Sequence, residues 1–192
     1  QPAKGYVEYG ETIRIGYFKQ GHEDMDSQQK VIDYIQDEAR YLQTRQGEFS
    51  AKQMCEKFLF DKDMQYTPIG RLSGGEKRRL YLLKVLMSAP NVLLLDEPTN
   101  DLDITTLQIL EDYLDSFQGI IITVSHDRYF LDRLCDTLWV FNHQRIEIHN
   151  GGYSDYMLNA QPVQRKVKKA VKPQKERAVR LTYHEKKELQ TL

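Results

Sequence analysis

The chain carries 192 residues, 29% of them charged, with 27 Lys/Arg against 28 Asp/Glu and a formal net charge of −1. A soluble globular domain with room for a small subdomain fits these figures, and a chain disordered throughout does not. The longest apolar run, Ile120–Val124, is far shorter than the roughly 20 residues that cross a bilayer, so any membrane role needs another chain.

In chain order, residues 6–8 read as a short strand, and Gly10-Glu11 as a turn into a strand over 12–18. Gln20 follows; on the residues alone it reads as a solvent-exposed strand end. Residues 21–70 read as helical. Ser27 is positioned to cap a helix with Val31, Ile35, Ala39 and Leu42 on one face, and Gly47 breaks it. Ser50 can cap a second helix carrying Met54, Cys55, Phe58 and Leu59. Both stripes read as the packing of a small bundle, which Pro68-Ile69-Gly70 ends.

Two phosphate-directed devices follow back to back. In Leu72-Ser73-Gly74-Gly75-Glu76, Ser73 and Glu76 form a capping box, and the two glycines admit a close backbone approach. The helix that starts there points free N–H groups and a positive dipole end outward, which suits an anion. Lys77, Arg78 and Arg79 read as a solvated face, with Arg78 or Arg79 alternatively touching phosphate or an acidic partner. The second device is the run 92–95, between Pro90 and Pro98, which reads as a strand buried on both faces. It delivers Asp96 and Glu97 to its carboxyl end, where open α/β sheets bind ligands. One carboxylate can hold Mg²⁺ and the next can polarise a water. Either pattern alone is a common turn or strand end; the pairing across one helix is what points to phosphate chemistry.

Asp103 can cap a helix with Leu107, Leu110, Leu114 and Phe117 on one side, closed by Gly119. Ile120–Val124 is β-branched and reads as another buried strand. Ser125-His126 ends it on the same edge as Asp96 and Glu97, which suits His126 to a γ-phosphate. A short helix over 129–134 precedes a strand pair over 137–141 and 145–149. Strands alternating with helices give an α/β class with a mostly parallel sheet. From Pro162 onward there are 10 Lys/Arg and 3 Asp/Glu, against 17 and 25 before it, so an acidic body bears a basic tail. That tail is either a solvated tether or an electrostatic arm for nucleic acid. Thr182 and Glu185 form a capping box near the end. The two cysteines, Cys55 and Cys135, have no metal-ligand spacing, and a reducing cytoplasm is the expected setting.

Several of these segments carry a resemblance. Leu72 to Glu76 resembles the signature motif of ATP-binding cassette (ABC) ATPases, Val92 to Pro98 their Walker B strand, and Thr99-Asn100-Asp101-Leu102-Asp103 their D-loop. Ser125 to Leu131 is similar to the His switch of the ABC-F subfamily, Ile15 to Gln20 to its Q-loop, and Gly151 to Tyr156 to its closing Gly-x-Tyr-x-x-Tyr segment. The chain is identified as a member of the Uup-like branch of ABC-F.

The resemblance implies a partial ABC-type α/β domain in four parts. Residues 1–20 would be a strand and Q-loop remnant of the catalytic subdomain, and 21–89 the helical subdomain ending in the signature helix. Residues 90–160 would be the catalytic core, and 161–192 a basic linker entering a C-terminal helix. It also implies ATP and Mg²⁺. Glu97 would orient the attacking water, Asp96 and Gln20 would hold Mg²⁺, and Gln20 and His126 would sense the γ-phosphate. Ser73, Gly74, Gly75 and Glu76 would act in trans, and Asn100, Asp101, Leu102 and Asp103 would form the D-loop. The implied partners are a second ABC nucleotide-binding domain and a ribosome or nucleic acid; the alternative is the motor subunit of a membrane transporter. No G-x-x-x-x-G-K-[ST] phosphate loop occurs in the 192 residues. The family has it upstream of the Q-loop, so truncation before Gln1 and after Leu192 is expected. The expected affinity of these residues alone for ATP is millimolar or weaker, and a submillimolar constant from calorimetry would contradict this.

Overall fold

The computed structural model describes residues 5–160 apart from Val7, His22, Glu23, Gln46, Asp101, His143 and Gln144. In chain order the elements are β1 (Ile15–Phe18), α1 (Val31–Glu38), β2 (Tyr41–Thr44), β3 (Gly47–Ser50), α2 (Ala51–Lys57) and α3 (Lys62–Gln65). A 3₁₀ turn (Ile69–Arg71) leads into α4 (Gly74–Met87), β4 (Val92–Asp96), α5 (Ile104–Asp115) and β5 (Ile120–Val124). Then come α6 (Arg128–Leu134), β6 (Thr137–Asn142), β7 (Arg145–Asn150) and α7 (Tyr153–Ala160).

β1, β4 and β5 form a parallel three-stranded sheet with β4 in the centre. Phe18 pairs with Leu95, and Asp96 with Val124, so all three strands end along one edge. α4 packs against β1 and α1. Its Leu80, Leu82, Leu83 and Leu86 are fully buried with Phe18, Leu93, Leu110 and Phe130. The approach of α4 to β1 requires glycine at position 16, where a Cβ would lie 2.9 Å from Pro90 Cγ and 3.1 Å from Val85 Cγ1. On the other side of α4, Val31, Ile35, Leu42, Met54 and Phe58 extend the same core through α1, α2 and the β2–β3 hairpin.

The helical reading of residues 21–70 needs correcting. α1 stops at Glu38, Ala39 is extended, and Leu42 belongs to an antiparallel hairpin. Leu42 faces the same core as Val31 and Ile35, which is why its spacing imitated a longer helix. Ser27 is not the cap. The α1 N-cap is Lys30, with no side-chain cap, and the start is set by pairing of distant backbone: Val31 N–H donates to Thr67 O, Ile69 N–H to Gln29 O and Gly70 N–H to Ser27 O. Tyr6 and Glu8 lie outside any strand, and the basic tail with its Thr182 capping box lies outside the described residues. Ser50 does cap α2 in a full capping box with Gln53.

β1 and β5 are open to solvent on one face, where Val92 and Leu94 of β4 between them are half-buried. The covered face carries Gly16, Phe18, Leu93 and Leu95, while Ile15, Tyr17, Ile120, Ile122 and Val124 are 42% to 62% exposed on the other. Trp139, Phe141, Ile146 and Ile148 form a second exposed apolar group on the β6–β7 hairpin, where they pair across the strands. The expectation of strands buried on both faces therefore fails among the described residues, because no described element covers the outer face.

Gly119 sits at the tight entry to β5, where a Cβ would lie 2.4 Å from the Asn91 carbonyl oxygen and 2.7 Å from Phe117 Cε1. That carbonyl accepts the Ile120 N–H at 3.0 Å and cannot yield freely. Gly119→Ala is expected to destabilise the fold by about 1–3 kcal/mol, read as a lowered urea midpoint at unchanged slope.

Candidate functional site

The common carboxyl edge of β1, β4 and β5 gathers the titratable groups. Asp96 ends β4, and Glu97 follows it in the left-handed region, at φ 47°. The Glu97 N–H donates to Val124 O at 2.8 Å, which locks the turn to the end of β5. The Glu97 side chain is buried beside Ser125 and His126: Oε2 accepts the backbone N–H of His126 at 3.2 Å. His126 Nε2 stands 3.2 Å from Oε1, near enough for an ion pair when the imidazole is protonated, yet not aligned as a hydrogen bond. Oε1 is therefore a buried acceptor with no hydrogen-bond donor among the described residues. The imidazole itself is almost wholly exposed. Ser125 Oγ accepts the Asp127 N–H and meets Thr99 Oγ1 at 3.4 Å, fixing the two turns that leave β4 and β5. Asp127 caps α6, accepting from the N–H groups of Tyr129 and Phe130. Gln20 is exposed just beyond β1, on the same edge.

Among the described residues no three His, Cys, Asp or Glu side chains converge as a self-contained metal site. Mg²⁺ requires none, since it binds through one or two protein oxygens plus waters and substrate phosphates. Asp96 and the Gln20 amide carry hard oxygen donors on neighbouring strand ends, a donor set that fits this ion.

The start of α4 is a separate device. Ser73 Oγ accepts the Glu76 N–H at 3.3 Å, while Glu76 Oε2 accepts from the Ser73 N–H at 2.7 Å and from its hydroxyl at 2.8 Å. The Ser73 N–H above all holds the Glu76 carboxyl below its ordinary value of 4.5. A Cβ at Gly74 would meet nothing within 4 Å, so the helix start faces open space. Among the described residues no hydrogen bond or ion pair joins Ser73–Glu76 to Asp96, Glu97 or His126.

Two arginines on α4 are buried, against the reading of a solvated face. Arg79 Nη1 pairs with Asp103 Oδ2 at 3.2 Å and lies 3.4 Å from Thr106 Oγ1. Asp103 also caps α5; the Thr106 N–H foremost lowers its carboxyl pKa, with Arg79 adding to the effect. This ties Asp103, the last of the four residues expected to form a D-loop, to α4. Asn100 donates its N–H to Glu97 O, Leu102 is half-buried, and Asp101 lies outside the described residues. Neither cysteine competes as a nucleophile: both are free thiols, and burial pushes Cys55 up to about 12. Among the described residues no helix is long and apolar enough to cross a membrane.

A parallel sheet whose carboxyl edge presents Asp-Glu and Ser-His, with a glycine-rich helix start set apart from it, is the arrangement of a nucleotide-binding cassette. The family model described as "ABC transporter" matches residues 2–100. YfmR, an ABC transporter ATP-binding protein of Bacillus subtilis, is 58% identical over 158 residues, covering 81% of this chain and 25% of its own. The ATP-binding protein Uup-like of Haemophilus influenzae is 35% identical over 212 residues, covering all of this chain and 46% of its own. The energy-dependent translational throttle protein EttA of Mycobacterium tuberculosis is 42% identical over 134 residues, 70% of this chain and 24% of its own. In a solved complex of an archaeal ribosomal stalk protein with the ribosome recycling factor aABCE1, the similar chain superposes with a TM-score of 0.62 at 21% identity, over 83% of this chain and 31% of that one. This chain belongs to the ABC transporter family, in its Uup-like ABC-F branch. It spans less than half the length of these relatives.

The capping box makes a pH-dependent prediction. Because the folded Glu76 pKa is depressed, the stabilisation is present above about pH 4.5 and fades as pH falls through the lower folded value. Ser73→Ala is expected to cost about 1 kcal/mol at neutral pH. The gap between the variant and the parent should narrow below pH 4, as followed by urea unfolding across a pH series.

Proposed function

We propose that this chain provides one catalytic edge and one signature helix of a cytoplasmic ABC-F ATPase, which hydrolyses ATP between itself and a second nucleotide-binding domain and acts on ribosomes. The observation that carries the reading is the buried, donor-free Oε1 of Glu97 beside His126. When the exposed His126 imidazole swings from Oε1 toward a γ-phosphate, that acceptor is opened to a water held for attack, which gives Glu97 the role of general base. His126 would donate to the γ-phosphate, and Gln20 would approach the same water. Asp96 and Gln20 would hold Mg²⁺, which when bound neutralises phosphate charge. Ser73, Gly74, Gly75 and Glu76 would meet the γ-phosphate of ATP held by the partner domain, and Asn100, Asp101, Leu102 and Asp103 would line the seam. Closure on ATP requires contacts stronger in the closed state than in the open one, and the helix start provides them in trans.

That no hydrogen bond or ion pair joins the two devices among the described residues supports a two-domain site. The exposed outer face of β1, β4 and β5 supports a further point: parallel sheets are covered on both faces, and a β-branched strand such as β5 is not built as a bare edge. The phosphate loop that these 192 residues lack would be carried by polypeptide covering that face. A role in translation rests on the likeness to the translational throttle protein. The basic tail would add a salt-dependent contact to ribosomal or other nucleic acid.

Glu97→Gln, in the protein assembled with its phosphate loop, is expected to retain ATP binding. Turnover should fall by about 10²- to 10⁴-fold, and the closed form should accumulate. Rates from a phosphate-release assay equal to those of the parent would remove Glu97 as the base.

A further inference from the structure

α4 does more than present its glycine-rich start. One turn into the helix, Arg78 turns back toward the end of β1, and its Nη1 donates to the carbonyl oxygens of Lys19 and of Gly21, each at 2.6 Å. These are the two residues that flank Gln20. The guanidinium lies over the Phe18 ring, 3.8 Å from its centroid, and Arg78 is 3% exposed. Three residues on, Tyr81 donates its hydroxyl to Tyr17 O at 2.9 Å and packs its ring on Phe18 at 5.3 Å. α4 thus holds the backbone at positions 17, 19 and 21. Helix stability does not account for Arg78. A cation near a helix N-terminus opposes the dipole, and burial strips it of water. Its geometry is that of a clamp on two carbonyls, which a fixed, charged, multi-donor group performs well.

We infer that Arg78 is a positioning residue: it locks the Gln20 turn to the helix that begins at Ser73, so that Gln20 and the signature start move as one body. Ser73 lies five residues before Arg78, about 7.5 Å along the helix axis. Under the function proposed above, on which this consequence rests, Gln20 serves the chain's own ATP and Ser73 the ATP across the seam. Arg78 then couples the two pockets. Docking of the helix start on the partner's nucleotide carries Gln20 to its station, and its release withdraws Gln20.

Two measurements test this. In the purified protein, NMR order parameters of the backbone amides at residues 19–21 are expected to fall from about 0.85 to below about 0.6 in Arg78→Met, which keeps the apolar stem over Phe18 and removes the donors. Arg78→Lys, which keeps a buried cationic donor, should restore most of the loss. β4 and the rest of α4 should keep the parental values in both variants. Unchanged values at 19–21 in a folded variant would overturn the clamp, as would uniform loosening of the whole core or failure of Lys to rescue. In the ATP-hydrolysing assembly, Arg78→Met should lower kcat at least tenfold with KM for ATP within twofold. Adding it to Gln20→Ala should change kcat no further. Additive losses would show that Arg78 does not act through Gln20. If the parental assembly hydrolyses no ATP, the function proposed above fails while the order parameters still decide the clamp.

Discussion

Burial of α4 on nearly all of its faces is the constraint on which the rest of the structure depends. Leu80, Leu82, Leu83 and Leu86 are enclosed, and so are Arg78 and Arg79. A helix wrapped in this way cannot slide or rotate alone. β1 rests on it through Gly16 and Phe18, α5 is tied to it through Asp103, and α1 and α2 pack on its far side. Interiors at crystal-like density transmit displacement rather than absorb it, so whatever engages the free start of α4 is felt at the sheet.

The chemistry proposed for the sheet depends on strand ends rather than on strand interiors. Parallel pairing of β1, β4 and β5 lines up Gln20, Asp96-Glu97 and Ser125-His126 without any loop having to reach for them. The hydrogen bonds that follow join the ends of neighbouring strands and the turns leaving them: Glu97 N–H to Val124 O, His126 N–H to the Glu97 carboxylate, Asp127 N–H to Ser125 Oγ. These bonds fix the Glu97 carboxylate and the Ser125-His126 backbone before any substrate arrives, which suits a group that must meet a developing charge without rearranging.

What the sequence revealed and what it hid follow from contact range. Ser73 with Glu76, Ser50 with Gln53 and Asp103 with Thr106 are contacts three residues apart, and their side-chain chemistry declares them locally. The strand bearing Asp96 was legible for the same reason, as an apolar run between prolines. The burial of Arg78 and Arg79 was not, because their partners lie 57, 59 and 24 residues away and no window contains both ends. The β2–β3 hairpin was hidden differently. Leu42 kept an inward orientation across a change from helix to strand, so periodicity continued while the backbone did not. Ser27 offered a good cap that the fold declined, since pairing with residues 67–70 had already fixed where α1 begins.

The left-handed backbone at Glu97 has one further implication. A non-glycine residue there bears about 1–2 kcal/mol of torsional strain, and the shorter acidic residue, aspartate, tolerates that region better. Backbone comfort alone would have favoured the shorter carboxylate. The presence of glutamate indicates that the extra methylene, which carries the oxygens beneath the His126 amide, outweighs the torsional penalty. Stem length at this position is thus as much a part of the site as its charge.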